Sequence, residues 1–231
     1  MVAQQGLSPL PLAGSILTTR RLAIFAAIGP VLFWVVALGI VTPLEWGFLH
    51  SLGWRETGPS PIPYPSATAL GPFGWLQILN FGQFGLSLIA LAIGLWKSVV
   101  PRPRVGITFI FFAGVSVLAS MFKTDPTSGT PMTWHGWIHA LAFVLLIVSF
   151  VVSAVALAVE LRKNERWRWI GFSGPGLLAL AILVGATNRL LPTMPFASVH
   201  SLLVVFAWYV LLALRLLLLP AGAAERRTTE P

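Results

Sequence analysis

One aspartate and two histidines crowd into a single stretch, KTDPTSGTPMTWHGWIHALAF, residues 123–143. His135 and His139 are four positions apart, so a helix places both on one face. Imidazoles at that spacing suit one zinc ion, and a carboxylate extends the donor set when thiolate is absent. Asp125 is the candidate third ligand and His200 the fourth. Zinc held by Asp125, His135 and His139 would acidify a bound water for hydrolysis, which makes these three the candidate catalytic residues. No Glu lies between the histidines, so this is not the zinc-protease helix. His139 and His200, expected on separate helices, are also a pair of the kind that clamps a haem. A plainer reading uses the same side chains as fasteners. The imidazoles would bond Asp125, Asn80 or backbone, Thr133 would cap the helix, and Asp125 would neutralise Lys123 or Arg189. The residue types leave all three readings open.

Other polar groups are few. Gln77 and Asn80, with Asn188 on a later segment, are candidates for orienting a substrate. Ser66 and Ser201 become nucleophiles only beside a base. His50 sits among Trp46 and Trp54 and reads as an interfacial residue. The chain has no cysteine, which excludes disulfides, thiolate nucleophiles and Cys-ligated metals.

The elements that must position these groups are apolar. Of 231 residues, 56% are hydrophobic and 10% charged, well below the roughly 25% charge usual in soluble domains. A spanning helix needs about 20 apolar residues. Six segments qualify, near 22–42, 74–96, 105–122, 134–159, 169–188 and 199–219. The expected fold is therefore all-α, a polytopic bundle of six transmembrane helices over residues 21–220. Tails at 1–20 and 221–231 flank it, and a long Pro-rich outer loop spans 43–73. PSPIPYPS within that loop predicts extended, stiff backbone.

The net charge of +8 is placed asymmetrically. Arg20, Arg21, Lys97, Arg102, Arg104, Arg162, Lys163, Arg166, Arg168, Arg226 and Arg227 fall on one side of an alternating path. Arg55, Lys123 and Arg189 fall on the other. The positive-inside rule then puts both termini in the cytoplasm. This distribution speaks for a membrane and against nucleic acid as partner. Helices two to six each bring polar side chains to the outer level, while the inner halves stay apolar. An outward-facing Asp/His pocket is the expectation.

Two runs carry a family resemblance. PSATALGPFGWLQILNFGQFGLSLIALAIGLWK resembles the second helix, with its preceding loop, of a bacterial six-helix membrane family known as domain of unknown function nine-nine-eight. FKTDPTSGTPMTWHGWIHALAF resembles that family's second signature, and LAIFAAIGPVLF is similar to its first helix. The resemblance implies an integral protein of the bacterial inner membrane and carries no reaction with it. Asp125, His135 and His139 match the motif. Ala67 departs from it, standing where an acid commonly follows the serine. Helical histidines near one membrane face are also similar in kind to the ceramidase and adiponectin-receptor type of zinc hydrolase, which has seven helices.

Two functional classes follow. One is a non-catalytic, accessory role among membrane lipids or within a larger membrane-protein assembly. The other is a zinc-dependent hydrolase of a lipid-like substrate, with a b-type haem protein behind it.

Overall fold

The computed structural model describes residues 13–55, 65–126, 131–190 and 197–218. The described residues form helices joined by turns and short irregular segments, without a strand. Five helices are long and apolar enough to cross a membrane. Another apolar helix, Arg104–Ala119, has 16 residues and so a length of about 24 Å, short of a hydrocarbon core of about 30 Å.

The first helix, α1 (Ala13–Trp34), runs through Pro30 into a π-helical segment, Val35–Val41, and on into α2 (Thr42–Ser51). The expected end at Thr42 is therefore not the end of the helical path. Pro43 was the apparent breaker, but it sits in the first turn of α2, where a missing N–H costs nothing. The wider π turn absorbs the change of register. The Thr42 hydroxyl donates to the Ala37 carbonyl at 2.7 Å, and the Thr42 amide uses the same acceptor. Residues 56–64, with most of the proline run, lie outside the described residues. Pro65–Leu70 forms a 3-10 turn where extended backbone was expected.

Four helices follow: α3 (Gly74–Ser98), the short α4 (Arg104–Ala119), α5 (Trp134–Glu160) and α6 (Arg168–Leu190). The last helix is α7 (Ala197–Leu218). Their packing closes a ring in which α1 touches α3, then α4, α5, α6 and α7 follow in order, and α7 returns to α1. Phe33, Phe84 and Phe206 meet inside it with ring centroids 4.4 to 5.5 Å apart. Outward faces are apolar as well: Ile182, Leu183 and Leu141 are each more than half exposed. Water would penalise such a surface heavily, whereas lipid tails accept it.

Asn80 and Gln83, two polar side chains inside the ring, are paired with backbone. Gln77, Asn80 and Gln83 recur every third residue along one face of α3, against α1. Asn80 Nδ2 donates to the Phe33 carbonyl at 2.9 Å and lies 3.2 Å from Gln77 Oε1. Gln83 Nε2 donates to the Gly29 carbonyl at 3.1 Å and to Asn80 Oδ1 at 3.1 Å. Phe33 stands at the junction where the backbone ladder of α1 changes register. The amides meet carbonyls on either side of Pro30, ahead of the π segment, as a bilayer core requires.

The α3–α4 contact depends on missing side chains. A Cβ on Gly85 would come within 2.8 Å of the Gly114 carbonyl oxygen, and one on Gly114 equally close to that of Gly85. Gly82 has only ordinary contact with Met121, so the close approach is confined to the other two. At the opposite end of the bundle from the 65–70 turn, Glu160 accepts from the Val105 and Gly106 amides at 3.1 and 3.0 Å. It thereby caps the N-terminus of α4.

Candidate functional site

The α4–α5 connection is built around Asp125. Its Oδ2 accepts from the Thr133 amide and its Oδ1 from the Thr133 hydroxyl, both at 2.7 Å. Thr133 is the N-cap of α5, and its Oγ1 accepts from the Gly136 amide at 3.2 Å. Asp125 thus grips the cap residue, and the carboxylate lies against Gly136. A Cβ there would fall 1.8 Å from Oδ2. The glycine after His135 in this sequence is the space the carboxylate occupies. The Thr133 hydroxyl, against the opposing effect of burial and with lesser help from the Thr133 amide and His135, holds the Asp125 carboxyl below its ordinary range.

Both histidines turn Nδ1 toward the end of α4. His139 Nδ1 lies 2.8 Å from the Phe122 carbonyl, and His135 Nδ1 lies 3.0 Å from that of Lys123. A carbonyl only accepts, so each Nδ1 carries hydrogen in these contacts. The carbonyls are free because α4 stops early. The sequence reading carried it to Phe122, but Ser120, Met121 and Phe122 leave the helix in a turn closed by bonds of 3.0 to 3.2 Å. The two imidazoles then fasten successive carbonyls from one face of α5.

His135 also lies 2.9 Å from Thr133 Oγ1 and 3.8 Å from Asp125 Oδ1, near the surface of the bundle end. His139 is buried, its ring edge-on to Phe81 at 5.9 Å. Asp125, His135 and Thr133 are therefore brought together. His139 joins them through α4 backbone and faces inward. His200 is in the first turn of α7, half-buried, with a buried Nδ1 that finds no partner among the described residues. Among the described residues no three His, Asp or Glu side chains are grouped to hold a metal ion. Gln77 and Asn80 belong to the amide ladder against α1. The Asn188 side chain lies outside the described residues.

His139 leads from this clamp into a cavity of about 300 Å³ between α1, α3, α4, α5 and α7. Phe33, Trp34, Phe81, Phe84, Phe143 and Phe206 supply most of its wall. Ser66, Ser120, His139 and the Trp34 indole N–H supply its hydrogen-bonding groups, and Pro65 and Ser66 reach it from the 3-10 turn. This volume is at the lower end for small-molecule sites.

The 3-10 turn is itself held by an acid the sequence reading passed over. Glu45 of α2 is 1% exposed; its carboxylate accepts from the Phe73 amide and lies against Gly71. Leu49, Trp54 and Ala67 form a small apolar cluster beside it. Ala67, where an acid was expected by resemblance, is buried in that cluster, and the carboxylate serving this turn comes from α2. The available signal was a lone acid near the end of an apolar run, a position rarely left without a partner.

The family described as protein of unknown function (DUF998) matches residues 63–216, two-thirds of the chain. The chain belongs to the DUF998 family. The match takes in the 3-10 turn, the Asp125 clamp and all helices from α3 onward, while α1 and α2 lie before it. No curated protein and no solved structure matches the chain. Family and helices together make this an integral membrane protein of the DUF998 family.

Proposed function

We propose that this DUF998 protein crosses a bacterial inner membrane six times with both termini cytoplasmic. It holds one lipid-class molecule at its outer end, in a non-catalytic accessory role. The aromatic cavity beside His139 carries the reading: its wall is mostly apolar, with a few polar groups at one place. The committed bonds of Asp125, His135 and His139 favour holding over chemistry, because both Asp125 oxygens and the Nδ1 of each histidine are spent on the α4–α5 turn. The hydrophobic outer face leaves membrane lipids as the immediate partners and room for a larger assembly.

Charge placement supports the orientation. Lys97, Arg102, Arg104, Arg162, Lys163, Arg166 and Arg168 gather where α3 meets α4 and α5 meets α6, while Lys123 stands at the other end. The chain lacks cysteine, so single cysteines report sidedness directly. Thr124→Cys is expected to react with a membrane-impermeant maleimide on intact cells and Lys163→Cys only after permeabilisation. The reverse pattern would overturn the orientation.

The function is tested on purified protein. Gentle detergent extraction should bring along about one equivalent of lipid-class ligand, displaced in an Ala140→Phe variant that fills the cavity. Zinc content should be equal in wild type and in the His135→Ala, His139→Ala double variant. A stoichiometric zinc lost in the double variant would establish the hydrolase reading instead, and a Soret band the haem reading.

A further inference from the structure

We infer that the molecule held beside His139 is an uncharged lipid whose polar group is a hydroxyl. This rests on the binding reading above and narrows it to a chemical class. Among the described residues no Asp, Glu, Lys or Arg is on the wall. A carboxylate, phosphate or ammonium group would enter with nothing of opposite sign to meet it, at a large desolvation cost.

The wall's polar groups then select among neutral ligands. His139 has its Nδ1–H committed to the Phe122 carbonyl at 2.8 Å, so in the neutral ring Nε2 presents a lone pair. The Ser120 hydroxyl gives its proton to the Ser116 carbonyl at 3.2 Å, which leaves its oxygen as an acceptor. His139 and Ser120 are each 7% exposed, yet both line the cavity. Beside the buried Trp34 indole N–H, which finds no partner among the described residues and takes any ligand oxygen, the site therefore offers acceptors at His139 and Ser120 and asks the ligand for a donor. A hydroxyl on an apolar body provides one; an ether, ester or ketone does not. Ser66, on the 3-10 turn, can give or take and does not discriminate. Prenols, sterol-like alcohols and fatty alcohols share this chemistry.

The test uses full-length protein in detergent and three compounds of one chain length: dodecanol, dodecyl methyl ether and dodecanoate at mildly alkaline pH. Each competes against a brominated dodecanol, read by its quenching of tryptophan fluorescence. Wild type should favour the alcohol over the ether by about tenfold, the worth of one good hydrogen bond, and bind the carboxylate more weakly than either. In a His139→Phe, Ser120→Ala variant the alcohol and ether should become equal while the ether keeps its affinity. His139 also fastens the α4–α5 turn, so Ser120→Ala alone provides a milder version, with a partial loss of preference. Equal binding of alcohol and ether by wild type, or preference for the carboxylate, overturns the hydroxyl assignment and leaves the cavity as a lipid site. Failure of the brominated probe itself to quench overturns both.

Discussion

Replacing Gly136 with alanine should destabilise the protein, although alanine is the better helix former. Helix propensity favours Ala over Gly by about 1 kcal/mol in a helix interior. Here the new methyl would have to occupy the place of Asp125 Oδ2, at 1.8 Å, and the carboxylate would have to leave. Its departure releases the Thr133 amide and hydroxyl together, and with them the start of α5. The expected results are a lower thermal midpoint and loss of hydrogen-exchange protection at the Thr133 amide. A raised midpoint would mean the carboxylate is not the fastener. Asp125→Asn gives a second check, since the Thr133 amide and hydroxyl bond two different carboxylate oxygens and an amide replaces one of these with an NH2 donor.

The same clamp sets an acid dependence. The folded Asp125 has a lowered pKa, chiefly through the Thr133 hydroxyl. Its contribution is therefore complete above the unfolded carboxylate value of about 3.9 and disappears as pH falls through the lower folded value. Protection of the Thr133 amide should persist to below about pH 4 in wild type. In Gly136→Ala the Asp125 titration should return toward the ordinary range. Nuclear magnetic resonance of the carboxyl carbon would follow it.

The second large effect is expected at Asn80. It is 3% exposed and bonded to the Phe33 carbonyl, to Gln77 and to Gln83. Asn80→Leu conserves approximate volume but leaves Gln77 Oε1 and Gln83 Nε2 each short of a partner in an apolar interior. A single hydrogen bond between membrane helices averages about 0.6 kcal/mol, with a maximum near 1.7. With several groups stranded at once, a loss of about 2 kcal/mol is expected. Detergent-unfolding equilibria would measure it. Gln77→Leu should cost less, because Gln77 accepts from Asn80 and its buried Nε2 finds no partner among the described residues. Equal losses at the two positions would show that the ladder does not act through Asn80.

The membrane class was legible because it is written in long apolar runs, and local patterning survives without tertiary information. The neighbourhood of Asp125, His135 and Thr133 was legible for the same reason, since a short loop and one helical turn hold them together. What the imidazoles bind was not. Spacing of i and i+4 tells which face the rings share, whereas their partners depend on where α4 ends. Its early turn at Ser120 has no strong breaker residue to announce it. Pro43 misled in the opposite direction, since a π segment can carry a chain past a proline. The cavity and the reach of Glu45 to Phe73 join residues far apart in sequence, and only packing reveals them.

Closure of the ring through α1 and α7 has a consequence for biosynthesis. The first span must remain without its neighbour on that side until the last has emerged from the ribosome and entered the lipid. Phe33 and Phe206 approach across this seam at 5.5 Å. The cavity thus lacks one wall until α7 inserts, and a molecule already lodged there at that moment would be enclosed rather than admitted.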